Sequence, residues 1–220
     1  MKPQAARHIA VFAAAFLVSG AALIAPAAAQ DPSSSQIVDA LKPKVKFRGF
    51  DPAQAEKESR QSDLVNRLQK EKTRQITVEE RNEIADVVHD NDLPAIDLEV
   101  FFEFDSAEIT PGALPILKQL GAALGDAKLK GSVFLVAGHT DAKGSDAYNL
   151  SLSDQRAKSV QAFLVENFHI DPKQLVAIGF GEEQLKTKDD PLSGKNRRVQ
   201  VVNMASQQAA KAAPEGKDPE

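Results

Sequence analysis

Apolar residues recur with two different spacings between positions 76 and 205, one typical of strands and one typical of helices. The segment IDLEVFFEF, at positions 96–104, alternates apolar and acidic residues, which is the spacing of a strand with one buried face. The buried side of this strand would carry Ile96, Leu98, Val100, Phe102 and Phe104. The three phenylalanines of the segment are most simply assigned to core and sheet packing.

Helical spacing occurs three times in the same region. Thr110 and Pro111 provide a cap and a first-turn proline, and the apolar residues of one helical face follow: Ala113, Leu117, Leu120 and Leu124. A second helix is predicted over about 153–167, with an inner stripe of Ala157, Val160, Leu164 and Phe168. A brief helix is predicted before the main domain, because Thr77 and Glu80 have the spacing of a capping box.

Three further segments have the apolar character of strands. GSVFLVAG at 131–138 is a continuous apolar run that suits a buried central strand, and QLVAIGFG at 174–181 and RVQVVNM at 198–204 follow it. The order is strand, helix, strand, helix, strand, loop or short helix, strand. This order predicts an α+β fold, a two-layer sandwich in which helices pack on one face of a small mixed sheet.

The first 29 residues have the three parts of a secretory signal. Lys2 and Arg7 precede an uncharged apolar stretch, and the segment ends in small residues at 27–29. A signal peptide cleaved near position 29 is therefore expected, although the apolar stretch is also long enough for a retained inner-membrane anchor. Either interpretation places the remainder of the chain outside the cytoplasm.

Two polar segments flank the periodic region. Residues 30–75 are charged and poor in aromatic residues, which predicts a flexible linker with a transient helix over about 62–72. Residues 206–220 are expected to form a disordered tail. The globular domain is accordingly assigned to residues 76–205.

Composition excludes several classes of function. The chain has no cysteine, so disulfides, thiolate metal sites, cysteine nucleophiles and lipidation of an N-terminal cysteine are ruled out. Without residues 1–29 the chain loses two basic residues and no acidic residue, and it is more acidic than the formal charge of −4 of the full sequence. Clustered basic faces typical of nucleic-acid binding proteins are not evident.

Two opposite charges occupy the ends of ordered segments in the sequence AGHTDAKGSDAYNLSLSDQRAKSV at 137–160. Asp141 follows the predicted central strand, and Arg156 falls at the border of the buried face of the next helix. The two side chains are expected to face one cleft. They could equally pair with each other or cap a helix.

Separated motifs in this region resemble the OmpA-like peptidoglycan-binding domain family. The motifs are FEFDSAEI at 102–109, GHTD at 138–141, Gly144, Asn149, Leu152-Ser153, Arg156-Ala157, Val160 and NRRV at 196–199. The resemblance extends over about 98–203. It implies a non-catalytic module that binds peptidoglycan through the meso-diaminopimelate of the stem peptide, with Asp141 receiving the ammonium and Arg156 the carboxylate.

Four other residues are candidate ligand contacts. Thr140 and Asn149 offer hydroxyl and amide groups, although Asn149 could instead stabilise the loop. Asp105 ends the first predicted strand, where it could line the cleft or cap a local turn. Strand alternation sends only one of two adjacent arginines toward the ligand, and Arg197 is favoured over Arg198.

The sequence does not support an enzyme or a cofactor site. His139 and Asp141 are close in sequence, but no set of metal ligands surrounds them, and neither GFGEE nor SGKNRR has the spacing of a phosphate-binding loop. The expected protein lies in the periplasm or on the periplasmic face of the outer membrane of a Gram-negative bacterium. Its linker could contact other envelope proteins. The alternatives are a membrane-tethered wall anchor, as in stator or secretion systems, and a cell-wall hydrolase.

Overall fold

A computed structural model describes residues 31–43, 51–70 and 76–205. The expected signal segment and C-terminal tail lie outside these ranges. The described helices and strands are, in chain order, α1 (Ser34–Leu41), α2 (Pro52–Lys70), α3 (Val78–Asp90), β1 (Ala95–Leu98), α4 (Leu114–Leu124), β2 (Phe134–His139), α5 (Asp146–Phe168), β3 (Leu175–Gly181) and β4 (Arg198–Asn203).

The four strands form one mixed sheet in the order β1-β4-β2-β3. β2 and β3 are parallel, whereas β4 is antiparallel to both β1 and β2. The helix α5 makes the crossover that a parallel pair requires. The mixed sheet and the strand–helix order that the sequence predicts are thereby confirmed.

One face of the sheet is covered by α4 and α5. The predicted apolar stripes are buried: Leu117 and Leu120 of α4, and Ala157, Val160 and Leu164 of α5. α5 lies directly against β2 and β3. At Gly138, for example, a Cβ atom would lie only 2.2 Å from the Ser153 carbonyl oxygen. A Cβ atom on Gly179 would lie 2.3 Å from the Asp154 nitrogen. Glycine at both positions lets the helix backbone approach the strands closely.

Helices also cover the opposite face, which corrects the prediction of helices on one face. Leu64 of α2 and two residues of α3, Ile84 and Val87, are buried in a second apolar cluster with Leu135, Ala137, Ile178, Phe180 and Val202 of the sheet. All six residues of β2 are buried. The physical reason is that a strand apolar at consecutive positions needs cover on both of its faces.

The structure also differs from the prediction of a flexible linker over 30–75, because α1 and α2 fall within that range. α1 buries Ile37, Val38 and Leu41 in the main core, and the Asn203 side chain donates a 2.9 Å hydrogen bond to the Leu41 carbonyl oxygen. Ser33 caps the N-terminus of this helix with a capping box. The segment is polar on average, but its few apolar residues share one helical face, so they can be buried together.

The first strand is shorter than its alternating sequence predicts. β1 ends at Leu98, whose partner Val199 is close to the start of β4, so little neighbouring strand remains to pair with the next residues. The chain instead turns back in a loop, residues 99–110, closed by a bridge between Phe102 and Ile109. Phe104 is 96% exposed and Phe101 59% exposed. The assignment of these two phenylalanines to the core is therefore wrong.

The predicted helix before the main domain is present. Thr77 is the N-cap of α3 and makes the predicted capping box with Glu80. Pro111 opens a single 3-10 turn that leads into α4. The second major helix begins at Asp146, earlier than the predicted start near 153, because Ser145 caps it.

Candidate ligand-binding site

A cleft of about 520 Å³ lies beside the 99–110 loop, the middle of α5 and the turn that precedes β4. Its lining is Glu99, Val100, Phe101, Phe102, Arg156, Ser193, Gly194, Lys195 and Arg197. Three of these side chains are basic and one is acidic. The cleft therefore favours an anionic group over a cationic one.

Arg156 is held in this cleft by one edge of its guanidinium. Its Nε donates a 3.0 Å hydrogen bond to the Ser106 carbonyl oxygen, and its Cζ lies 5.0 Å from the centroid of the Phe102 ring. Within the described part of the chain, Nη1 and Nη2 make no hydrogen bond. The other edge of the guanidinium thus keeps the paired donors that can bind a carboxylate.

The electrostatic surroundings of Arg156 add to this preference. Burial lowers the pKa of Arg156, the charge of Arg197 lowers it further, and Asp141 and Asp105 oppose these effects. The group remains cationic at neutral pH because an arginine pKa starts so high. A half-buried cation beside a second cation gains stability when an anion binds.

Asp141 forms an ion pair with Arg197 rather than with Arg156. Its Oδ2 accepts a 2.6 Å hydrogen bond from Arg197 Nη1, and its Oδ1 accepts one of 3.2 Å from the Lys143 backbone N–H. The Asp141 side chain is 12% exposed, whereas that of Arg197 is 54% exposed. Arg197 therefore connects the buried carboxylate to the cleft that Arg156 lines.

Thr140 and Asn149 are buried behind this charged pair. Asn149 Nδ2 donates a 3.2 Å hydrogen bond to the Asp141 carbonyl oxygen and another to the Glu182 carboxylate. Thr140 Oγ1 is buried without a hydrogen-bond partner among the described residues. Neither residue lines the cleft, and the contacts of Asn149 are those of a residue that fixes the loop after β2.

Asp105 lies at the tip of the 99–110 loop. It has a left-handed backbone, with φ at 54°, and its carboxylate accepts a hydrogen bond from the Tyr148 hydroxyl.

Sequence reasoning missed Tyr148, Ser193 and Lys195. A usable signal existed for Tyr148, the single tyrosine of the chain, because it directly precedes Asn149 in the quoted motif.

The two adjacent arginines before and within β4 face different surroundings. Arg198 is buried, and its Nε donates a 3.2 Å hydrogen bond to Asp97. Burial of Asp97 would raise its pKa, but a hydrogen bond from Lys186 and the charge of Arg198 outweigh burial and hold the pKa below its usual value. Only Arg197 of the two lines the cleft.

His139 is part of the core and not of the cleft. Its ring stacks on Phe180, with ring centroids 5.5 Å apart, and neither ring nitrogen has a partner within the ranges described. Burial, followed by the charge of Arg198, lowers the His139 pKa to about 3, against the opposing effect of Asp97. Over the same ranges, no group of His, Asp and Glu residues has the geometry to hold a metal ion.

This environment predicts an acid-sensitive contribution from His139 to folding. Because the folded pKa is about 3 and the unfolded one 6.5, protonation favours the unfolded chain, and stability falls as pH decreases from about 6.5 toward 3. From pH 6 to pH 5, the free energy of unfolding should decrease in the wild type by about 1 kcal/mol more than in the His139→Phe variant. Urea unfolding at the two pH values measures this difference. His89→Phe, at an exposed position, should retain the wild-type difference, and a His139→Phe variant that also retains it would contradict the assignment.

Comparisons with known proteins find similarity over one segment of the chain. Residues 101–199 match the OmpA family. Over 103 residues the chain is 36% identical to the peptidoglycan-associated lipoprotein of Pseudomonas putida, covering 46% of this chain and 60% of that protein. Over 108 residues it is 34% identical to outer membrane porin F of Pseudomonas fluorescens, covering 48% and 32% respectively.

A solved structure shows a similarity of the same extent. The crystal structure of the peptidoglycan-associated lipoprotein from Burkholderia pseudomallei matches with 28% sequence identity and a TM-score of 0.40, covering 47% of this chain and 87% of that one. This chain thus spans 60% of the length of the Pseudomonas putida lipoprotein and 32% of the Pseudomonas fluorescens porin. The helices α1, α2 and α3 all precede the segment that matches the family.

Proposed function

We propose that this chain, in which residues 101–199 form an OmpA family domain, binds peptidoglycan non-covalently and anchors or stabilises the cell envelope. The similarity to peptidoglycan-associated lipoproteins supports this function. One observation carries it: a half-buried guanidinium, Arg156, presents its unpaired edge to an open cleft. Binding of this kind requires no chemical step.

We further assign the ligand as the meso-diaminopimelate of the stem peptide. This residue presents an ammonium and a carboxylate on the same carbon, so a protein site must offer both signs of charge. Arg156 can bind the carboxylate through two parallel hydrogen bonds. The Asp141 carboxylate has lone pairs beyond those used by Arg197 and Lys143, so it can accept from the ammonium while the ion pair persists.

Other candidate residues have supporting roles in this proposal. Arg197 is a second cation for the ligand carboxylate, because it lines the cleft and is half exposed. Asp105 contributes negative charge near Arg156. Thr140 has no direct role in this proposal, because its hydroxyl is buried, without a hydrogen-bond partner among the described residues, and the residue does not line the cleft. Asn149 positions the Asp141 backbone.

The proposed location is the periplasm or the periplasmic face of the outer membrane of a Gram-negative bacterium. The names of the relatives support a place in the cell envelope. Within residues 31–43, 51–70 and 76–205, no helix combines the length and apolar composition needed to cross a membrane.

Co-sedimentation with purified sacculi tests the proposed ligand. Sacculi with diaminopimelate stems should bring the protein into the pellet, whereas sacculi with lysine stems should bring down much less. Lysine keeps the terminal ammonium and lacks the carboxylate that Arg156 would bind, so the loss should be about tenfold or more. Equal binding to the two kinds of sacculi would contradict the assignment of diaminopimelate.

A further inference from the structure

The exposed apolar side chains of this protein are concentrated around the cleft. Five large hydrophobic residues are exposed within the described part of the chain: Val78, Phe101, Phe104, Tyr148 and Leu192. Phe101 lines the cleft, and Leu192 is adjacent in sequence to the lining residue Ser193. Phe104 precedes Asp105, to which Tyr148 donates a hydrogen bond. Four of the five therefore belong to the cleft or to the segments that build it.

The loop that carries the two phenylalanines is fixed by several hydrogen bonds. The Thr110 backbone N–H donates to the Phe101 carbonyl oxygen at 3.2 Å, and the Glu103 N–H donates to the Glu108 carbonyl oxygen at 3.0 Å. Arg156 binds the Ser106 carbonyl oxygen from the side of α5. A fixed loop thus holds the Phe104 ring in solvent, and exposed apolar side chains gathered in one region are typical of a binding surface.

We infer that Phe104 and Phe101 contact sugar rings of the peptidoglycan glycan strand, an inference that rests on the proposed function. In peptidoglycan the stem peptide is covalently attached to a sugar of the glycan strand, so a cleft that binds the peptide brings saccharide within reach of the surface around it. One face of a pyranose ring presents C–H groups, which pack well on the electron-rich face of an aromatic ring.

The charges around Phe104 distinguish a saccharide from a membrane surface. Glu103, Asp105 and Glu108 are exposed in the same loop. Their carboxylates can accept hydrogen bonds from sugar hydroxyls, whereas they would repel the anionic headgroups of a bilayer. The loop therefore suits a neutral, hydroxyl-rich ligand.

Calorimetry with two matched ligands tests this inference. One ligand is a disaccharide-tetrapeptide muropeptide, and the other is the same tetrapeptide without sugar. Phe104→Ala should weaken binding of the muropeptide by about three- to tenfold and leave binding of the free peptide unchanged. Val78→Ala, which changes an exposed apolar side chain on α3, should bind both ligands as the wild type does.

The outcomes separate this inference from the proposed function. If Phe104→Ala weakens both ligands equally, or weakens neither, the ring does not contact sugar and the inference is wrong. It is also wrong if the substitution changes only the binding of phosphatidylglycerol vesicles, which would indicate a membrane contact. A wild-type protein that binds neither the muropeptide nor the peptide would instead contradict the proposed function itself.

Discussion

Arg156→Ala weakens binding of a diaminopimelate stem peptide by about tenfold to a hundredfold, because a hydrogen bond to a charged group contributes roughly 1.5 to 3 kcal/mol. The guanidinium edge that faces the cleft has no other hydrogen-bond partner in the described residues, so the ligand carboxylate loses its main donor. Arg156→Lys keeps the charge but cannot form two parallel hydrogen bonds, and it should give an intermediate affinity. Isothermal titration with the free stem peptide measures both effects.

Arg156 also has contacts within the protein that the alanine variant would lose. The side chain also binds the Ser106 carbonyl oxygen and stacks on Phe102, so the alanine variant should lose roughly 1 kcal/mol of stability as well. Arg60→Ala is the matched control, because Arg60 is a half-exposed arginine on α2 with one weak ion pair of 4.0 Å. Arg60→Ala should leave affinity unchanged. Wild-type affinity in a folded Arg156→Ala protein would remove Arg156 from the site.

The second large effect concerns α1. Ile37 of α1 is fully buried in the main core, so Ile37→Asp should reduce the free energy of unfolding by at least about 4 kcal/mol. The reason is that the substitution removes buried apolar surface and introduces a carboxylate without a partner. Such a loss is a large fraction of the total stability of a typical domain.

Urea unfolding measures this loss, and Ser35→Asp provides the control. Ser35 lies on the same helix at an exposed position, so the same charge can be added there without burial. Ser35→Asp should stay within roughly 0.5 kcal/mol of the wild type. If Ile37→Asp were as stable as Ser35→Asp, α1 would not be part of the folded domain.

The sequence predicts the family-like part of the fold well, because periodicity there is long and consistent. The stripe of α5 runs over several turns and is buried at every predicted position through Leu164. α1 was missed because it is short and lies within a polar segment, so its three buried apolar residues do not raise the local average. The cover that α2 and α3 provide was missed because periodicity within one element does not say which distant element it contacts.

Charge placement in the candidate site is only partly predictable. The sequence indicates that Asp141 and Arg156 lie at the ends of neighbouring elements, and the structure places Arg156 in the cleft. The sequence does not indicate that Arg197, from the turn before β4, pairs with Asp141. That pair joins residues far apart in the chain, and its formation depends on how β4 inserts between β1 and β2.

A crystal structure of the protein bound to a stem tripeptide that ends in meso-diaminopimelate tests the central claim most directly. We expect the carboxylate on the carbon that carries the free ammonium to lie within hydrogen-bonding distance of Arg156 Nη1 and Nη2, and that ammonium to contact the Asp141 carboxylate. A bound tripeptide whose diaminopimelate contacts neither Arg156 nor Asp141 would contradict it.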